Sequence, residues 1–116
     1  MIDLDNFDQT SVIFDEKNGS LRIAGISMME DSLGFYAETK KNLDSYLLNS
    51  SSSVTVEFEL TYFNSSSAKQ FIQILSRLEN NRGSVLWKYP KDNTIMEDRG
   101  KELEILLDVP FEFIPV

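Results

Sequence analysis

Between Ser53 and Phe63 apolar and polar side chains alternate without a break. Val54, Val56, Phe58, Leu60 and Tyr62 fall on one parity, and Thr55, Glu57, Glu59 and Thr61 on the other. Strict period two over this length predicts a strand with one buried face and one wet face. A strand covered by helices on both faces reads instead as a continuous apolar run. The chain is therefore expected to build a sheet whose helices sit mainly on one side, with Glu57 and Glu59 accessible on the other.

The flanking segments supply the partners of that strand. Lys17-Asn18-Gly19-Ser20 carries the Asn-Gly pair of a type I′ hairpin turn, in which both central residues need positive φ. A two-residue loop there sets Phe14 opposite Ile23, Val12 opposite Gly25, and Asp15 opposite Arg22 as a cross-strand ion pair. A helix opens near Asp31-Ser32, either of which can cap it, with Leu33, Tyr36, Leu43 and Leu47 on one stripe. It ends in the loop Asn49-Ser-Ser-Ser-Ser53.

A second helix carries Ala68, Phe71, Ile72, Leu75 and Leu78 at helical spacing. Ser67 with Gln70 forms a capping-box pair at its start, and Asn80-Asn-Arg-Gly83 ends it with residues that tolerate a left-handed cap. Val85 to Tyr89 is a strand with Trp87 and Tyr89 in the core, stopped by Pro90. Thr94 and Glu97 form another capping box, opening a helix that runs to about Leu107. Gly100 inside it costs about 1 kcal/mol against alanine, which a close helix–sheet approach would explain. Pro110 then frees Phe111 to Val116 for a last strand. The order is β-β-α-β-α-β-α-β: an α/β fold with a mixed sheet, its N-terminal hairpin antiparallel and the rest joined by right-handed crossovers.

Composition narrows what such a domain does. At 116 residues and 13.3 kDa, residues 1–116 are expected to form one domain. With neither cysteine nor histidine, the chain lacks thiolate nucleophiles, the commonest general base and most transition-metal ligand sets. No cofactor is expected. A net charge of −8 repels nucleic acid and anionic lipid. The start, Met1 to Asp8, has no signal-peptide character, and no apolar run approaches the ~18 residues of a membrane span. A cytoplasmic binding or regulatory module fits these constraints better than an enzyme.

The residues with chemical promise sit in Tyr62-Phe63-Asn64-Ser65-Ser66-Ser67-Ala68-Lys69, a strand-to-helix turn with three consecutive hydroxyls. Such a turn lies at the carboxyl end of a strand, where open α/β sheets bind ligands, and a helix start favours an anion. The plain reading is that these serines cap the helix and solvate the loop. One serine suffices for a cap, however, and Lys69 near the helix start is better matched to a phosphoryl group than to the helix dipole.

This turn resembles the Tyr-Phe/Leu-Asn-Thr-Ser-Ser-x-Lys signature of the SiaC-type regulatory phosphoproteins. The resemblance continues in Gly25-Ile-Ser27 with Glu30 to Tyr36, in the strand carrying Trp87 and Tyr89, and in the ending Val109-Pro-Phe-Glu-Phe-Ile-Pro115. Ser65 stands at the family's threonine, and Met28-Met29 at its Tyr-Pro. The resemblance implies a STAS-like fold, that of anti-sigma-factor antagonists, and a place in a partner-switching module. It implies that a cognate Ser/Thr kinase phosphorylates Ser65 (Ser66 and Ser67 being the alternatives) and that a PP2C-type phosphatase reverses the step. It also implies that the unphosphorylated protein binds an effector, by family a diguanylate cyclase of cyclic di-GMP and biofilm signalling. Tyr62, Asn64 and Lys69 become candidates for partner or phosphate contact.

Other features are weaker. Glu57 and Glu59 point the same way from one strand with no base or metal partner beside them. Asp3, Asp5 and Asp8 lack the glycine and distal glutamate of an EF-hand. The competing reading is an interaction module whose serine turn is only a helix cap.

Overall fold

The structure, a computed structural model, describes residues 9–116; Asp3, Asp5 and Asp8 and the acidic start lie outside them. Eight elements follow in the expected order: β1 (Thr10–Asp15), β2 (Ser20–Ser27), α1 (Ser32–Asn49), β3 (Val54–Phe63), α2 (Ser65–Ser76), β4 (Gly83–Tyr89), α3 (Thr94–Leu106) and β5 (Phe111–Pro115). They form a five-stranded sheet in sequential order β1-β2-β3-β4-β5. β1 and β2 are antiparallel and every later pair is parallel. Because each crossover adds its strand on the same side, the right-handed rule sends all three helices to one face. The one-sided alternation of β3 follows directly.

On the helix side Leu21, Ile23, Val54, Val56, Phe58, Leu60, Val85 and Trp87 are buried. Phe71 of α2 sits at the centre, edge-on to Tyr36, Phe58 and Phe63 at 5.0–5.5 Å between centroids. Burying such a side chain stabilises the fold by about 1.5–3 kcal/mol. On the open face Arg22 bridges Glu57 (2.9 Å) and Glu59 (3.0 Å), and Lys88 joins Glu57 at 3.4 Å. These carboxylates face solvent and a cationic ladder, not a helix.

Several local details differ from expectation. The hairpin closes through a four-residue loop, 16–19, pairing Asp15 with Ser20, Phe14 with Leu21 and Val12 with Ile23. Asp15 accepts from Asn18 N and Nδ2 (3.3 and 2.7 Å), and of the Asn-Gly pair only Gly19 takes positive φ. The type I′ turn and the Asp15–Arg22 pair therefore do not form, and Arg22 serves the β3 glutamates. In α1 the cap is Asp31, and the inward stripe runs Ser32, Tyr36, Lys40, Leu43, leaving Leu33 exposed. α2 ends at Ser76, earlier than expected, although Asn80 and Asn81 do adopt the left-handed conformation in the turn that follows.

β3 also breaks its own alternation. Its register with β2 passes from Gly25↔Leu60 to Ile26↔Tyr62, so Thr61 is an extra residue in a bulge. Gly25 opposite has φ +100, and a Cβ there would strike the Gln9 carbonyl. The bulge turns Tyr62 out to solvent (46% exposed) and Phe63 into the core (1%). The expected close approach of α3 is real: a Cβ on Gly100 would lie 2.6 Å from Trp87 Cδ1 and Cε2. The indole is anchored beneath the helix, its Nε1 donating to the Met96 carbonyl at 2.9 Å.

Candidate functional site

β3 leads into α2 with a single intervening residue. Asn64 keeps extended backbone (φ −88, ψ 173), and its Oδ1 accepts from Ser67 N at 2.9 Å, which makes Asn64 the N-cap. The expected Ser67–Gln70 capping box is thereby corrected. A cap must lie where the backbone is still non-helical, and that place is three residues before Ser67. Gln70 instead accepts from the buried Lys40 of α1 at 2.6 Å, beside Gln73 at 2.8 Å. Thr94 likewise yields its expected cap role to Asn93, whose Oδ1 accepts from Met96 N at 3.1 Å.

The three serines consequently have three different surroundings. Ser67 is fully buried. It belongs to a hydroxyl cluster in which Tyr36 Oη lies 2.7 Å from Ser27 Oγ, Ser27 Oγ donates to Ser67 Oγ at 2.7 Å, and Ser67 Oγ donates to the Ser27 carbonyl at 3.0 Å. Met29 Sδ approaches both serine hydroxyls, at 3.5 and 3.6 Å. Burial pushes the Tyr36 phenol up to about 12, with hydrogen bonds to Ser27 and Thr10 opposing the shift. Ser66 is half-buried and donates to the Asn64 cap at 3.1 Å. Ser65 is exposed, the first residue of α2, and among the described residues its hydroxyl forms no hydrogen bond.

The turn is pinned from below and from the side. Asn64 N donates to the Ser27 carbonyl at 3.0 Å, and Asn64 Nδ2 to the Met29 carbonyl at 3.4 Å. Arg99, arriving from α3, donates to the Phe63 carbonyl, with its guanidinium 3.8 Å from the Phe63 ring centroid and 5.7 Å from that of Tyr62. Lys69 lies one turn beyond Ser65 at the i+4 position, exposed. Of the residues expected to share the site, Tyr62, Asn64, Ser65, Ser66 and Lys69 do converge on this rim, and Ser67 lies beneath it.

Tyr36 and Arg99 were not singled out from sequence. Tyr36 read as one more apolar position of a helical stripe. Arg99 reaches the turn from another helix, a juxtaposition that no local pattern encodes. The grooves lined by Val12, Phe14 and Phe35, and by Lys40, Asp44 and Arg77, do not include Ser65. What the turn offers is a rigid, accessible hydroxyl on a protein surface, with cations beside it.

A family model described as SiaC family regulatory phosphoprotein matches residues 5–116. No curated protein matches the chain. Among solved structures the chain is similar to one in the crystal structure of the diguanylate cyclase SiaD in complex with its activator SiaC from Pseudomonas aeruginosa. That match has a TM-score of 0.87 and 22% identity over 93% of each chain. Apo-SiaC from the same organism aligns with TM-score 0.84 and 23% identity, over 90% of this chain and 89% of that one. At these identities the structural likeness is one of fold. Among the described residues no helix is long and apolar enough to cross a membrane, and no group of acidic side chains is arranged to hold a metal ion.

Proposed function

The chain belongs to the SiaC family of regulatory phosphoproteins, and from that premise we propose that residues 1–116 act as one non-enzymatic cytoplasmic switch set by phosphorylation of Ser65. A cognate Ser/Thr kinase transfers the γ-phosphoryl group of ATP to Ser65 Oγ. The new O–P bond replaces the bond to the departing ADP, and the hydroxyl proton goes to the kinase's base. A PP2C-type phosphatase hydrolyses the ester with water, returning serine and inorganic phosphate. The unphosphorylated form binds and activates an effector, for which a diguanylate cyclase is the model, since SiaC is the activator of SiaD in the complex noted above.

The observation that carries this reading is the division of labour among the serines. Asn64 caps the helix, Ser67 is consumed by the buried cluster and Ser66 by the cap, which leaves the Ser65 hydroxyl exposed and unengaged. Against the competing reading, serines as caps alone, the capping side chain is that of Asn64, with Ser66 only donating to it. A phosphoryl group at Ser65 adds roughly −1.5 to −2 charge and meets the first N–H groups of α2, which lack intrahelical partners, so the fold tolerates it. An effector matched to a neutral hydroxyl does not.

Incubation with the cognate kinase followed by phosphosite mapping tests the assignment. One phosphoryl group on Ser65, absent from Ser65→Ala, is expected. A phosphoryl group on Ser66 or Ser67, or none on this turn, contradicts it.

A further inference from the structure

Arg99 is set apart from the other arginines. Arg22 pairs with Glu57 and Glu59, Arg77 with Asp44. Arg82 donates to the Leu47 and Ser50 carbonyls, far from the turn in sequence. Arg99 is half-buried and, among the described residues, forms no ion pair in a chain where carboxylates outnumber cations by nineteen to eleven. Its hydrogen bond goes to the Phe63 carbonyl, and its Cζ lies over the Phe63 ring, 3.8 Å from the centroid. A guanidinium has five N–H donors in a fork suited to two oxygens of one anion, so most of its capacity is unspent.

The placement of Ser65 brings it to the same side. Gln70 of α2 and Arg77, the residue that caps its C-terminus, face α1 through Lys40 and Asp44. At 3.6 residues per turn, Ser65 lies about 140° round the helix from Gln70 and about 120° from Arg77. It therefore sits on the flank away from α1. α3 packs on β3, β4 and β5, beyond that flank. Ser65 is two residues past the carbonyl that Arg99 holds, so the Cα atoms of Phe63 and Ser65 are within about 7 Å of each other.

We propose that Arg99 is the receiver of the Ser65 phosphoryl group, exchanging its bond to the Phe63 carbonyl for the phosphoryl oxygens. The proposal rests on the phosphoswitch reading and deepens it. In the unmodified protein Arg99 is parked on Phe63 and beside Tyr62. Once Ser65 is phosphorylated the guanidinium moves to the dianion, with Lys69 closing from the i+4 position and the first α2 N–H groups from below. Tyr62 then loses its cationic neighbour, so the modification alters the exposed aromatic as well as the charge of the turn. A partner would sense both changes.

The test uses the full chain with phosphoserine installed at position 65 during translation, which makes it independent of any kinase. The second ionisation of the phosphoryl group is followed by 31P NMR against pH. An arginine fork on the dianion lowers that midpoint from its usual value near 6, by about half a pH unit or more. Arg99→Gln is expected to return it toward 6 and Arg99→Lys only partway. In parallel, the Arg99 Nε–H resonance is expected to shift between the serine and phosphoserine proteins. That comparison needs no arginine variant and decides the matter if Arg99→Gln does not fold. A midpoint indifferent to Arg99→Gln, or an unmoved Nε–H resonance, overturns the proposal. Failure of the cognate kinase to modify Ser65 instead overturns the switch reading and leaves this titration unaffected.

Discussion

Two strand-to-helix turns lie at the same carboxyl edge of the sheet, and they differ in what surrounds the same kind of cap, an asparagine side chain. β3 enters α2 through Asn64, and β4 enters α3 through Asn93; each asparagine accepts from the N–H three residues on, at 2.9 and 3.1 Å. Each helix then begins with an exposed hydroxyl residue, Ser65 or Thr94. Beyond this the turns diverge. The third helical residue is Ser67 in α2, buried in a hydroxyl cluster, and Met96 in α3, buried against the apolar core. The i+4 neighbour of Ser65 is Lys69 and that of Thr94 is Asp98. Arg99 reaches the first turn, whereas Asp92, Glu97 and Asp98 outnumber Lys91 around the second. Both turns offer a helix start, so under the proposed switch it is the flanking charges that favour Ser65 over Thr94.

The strongest break of this comparison acts on the apolar turn. Gly100 lets α3 rest on Trp87, so Gly100→Leu overpacks that seat and is expected to cost about 1–3 kcal/mol, read as a lower denaturation midpoint. An unchanged midpoint would mean that α3 is not held by this contact. The two caps give the next test. Asn64 also receives the Ser66 hydroxyl and ties to the Met29 carbonyl, while among the described residues the Asn93 side chain hydrogen-bonds to the Met96 N–H alone. Asn64→Ala is expected to cost about 2 kcal/mol and Asn93→Ala about 1 kcal/mol; equal losses would show that the pinned turn gains nothing from its extra bonds.

The hydroxyl cluster should also make the α2 side respond to alkali. With the Tyr36 phenol raised from 10.0 to about 12 by burial, the unfolded chain loses this proton first. Between these values the folded state holds more protons, so stability falls as pH rises. The contribution is complete below pH 10 and lost on approaching 12, with a slope of at most about 1.4 kcal/mol per pH unit. Denaturant unfolding at pH 9 and pH 11 should show an excess loss of about 1 kcal/mol in the wild type over Tyr36→Phe. Identical losses would place the phenol in contact with water. The smallest effect concerns the flanking charges. Lys69→Glu in the chain phosphorylated at Ser65 is expected to lower stability by about 0.3–0.5 kcal/mol more than in the unmodified chain. An equal effect in both forms would remove Lys69 from the phosphate's surroundings.

Much of this was legible in the sequence, for identifiable reasons. The alternation of β3 and β4 reflects one buried face, and sequential right-handed crossovers place every helix on it. Gly100 disclosed its seat because a glycine there makes no sense in a solvated helix. The caps were misread because Ser67–Gln70 and Thr94–Glu97 satisfy the capping-box spacing, while the last residue with non-helical backbone is in each case an upstream asparagine. Tyr62 was misassigned to the buried face because a bulge at Thr61 leaves no trace in a period-two pattern. The hairpin register followed Asp15, whose side chain holds the loop, and not the Asn-Gly pair. Ser65 and Lys69 were visible as a local motif. Arg99 and Tyr36, brought in by tertiary structure, were not.

The central claim is that the charge state of Ser65 decides partner binding. It is tested most directly by calorimetric titration of the diguanylate cyclase proposed as its effector with two forms of the full chain, one carrying serine and one carrying phosphoserine at position 65. The phosphoserine form is expected to bind well over tenfold more weakly, a loss of at least ~1.4 kcal/mol, with both forms folded. Equal affinity, or tighter binding of the phosphoserine form, would contradict the account.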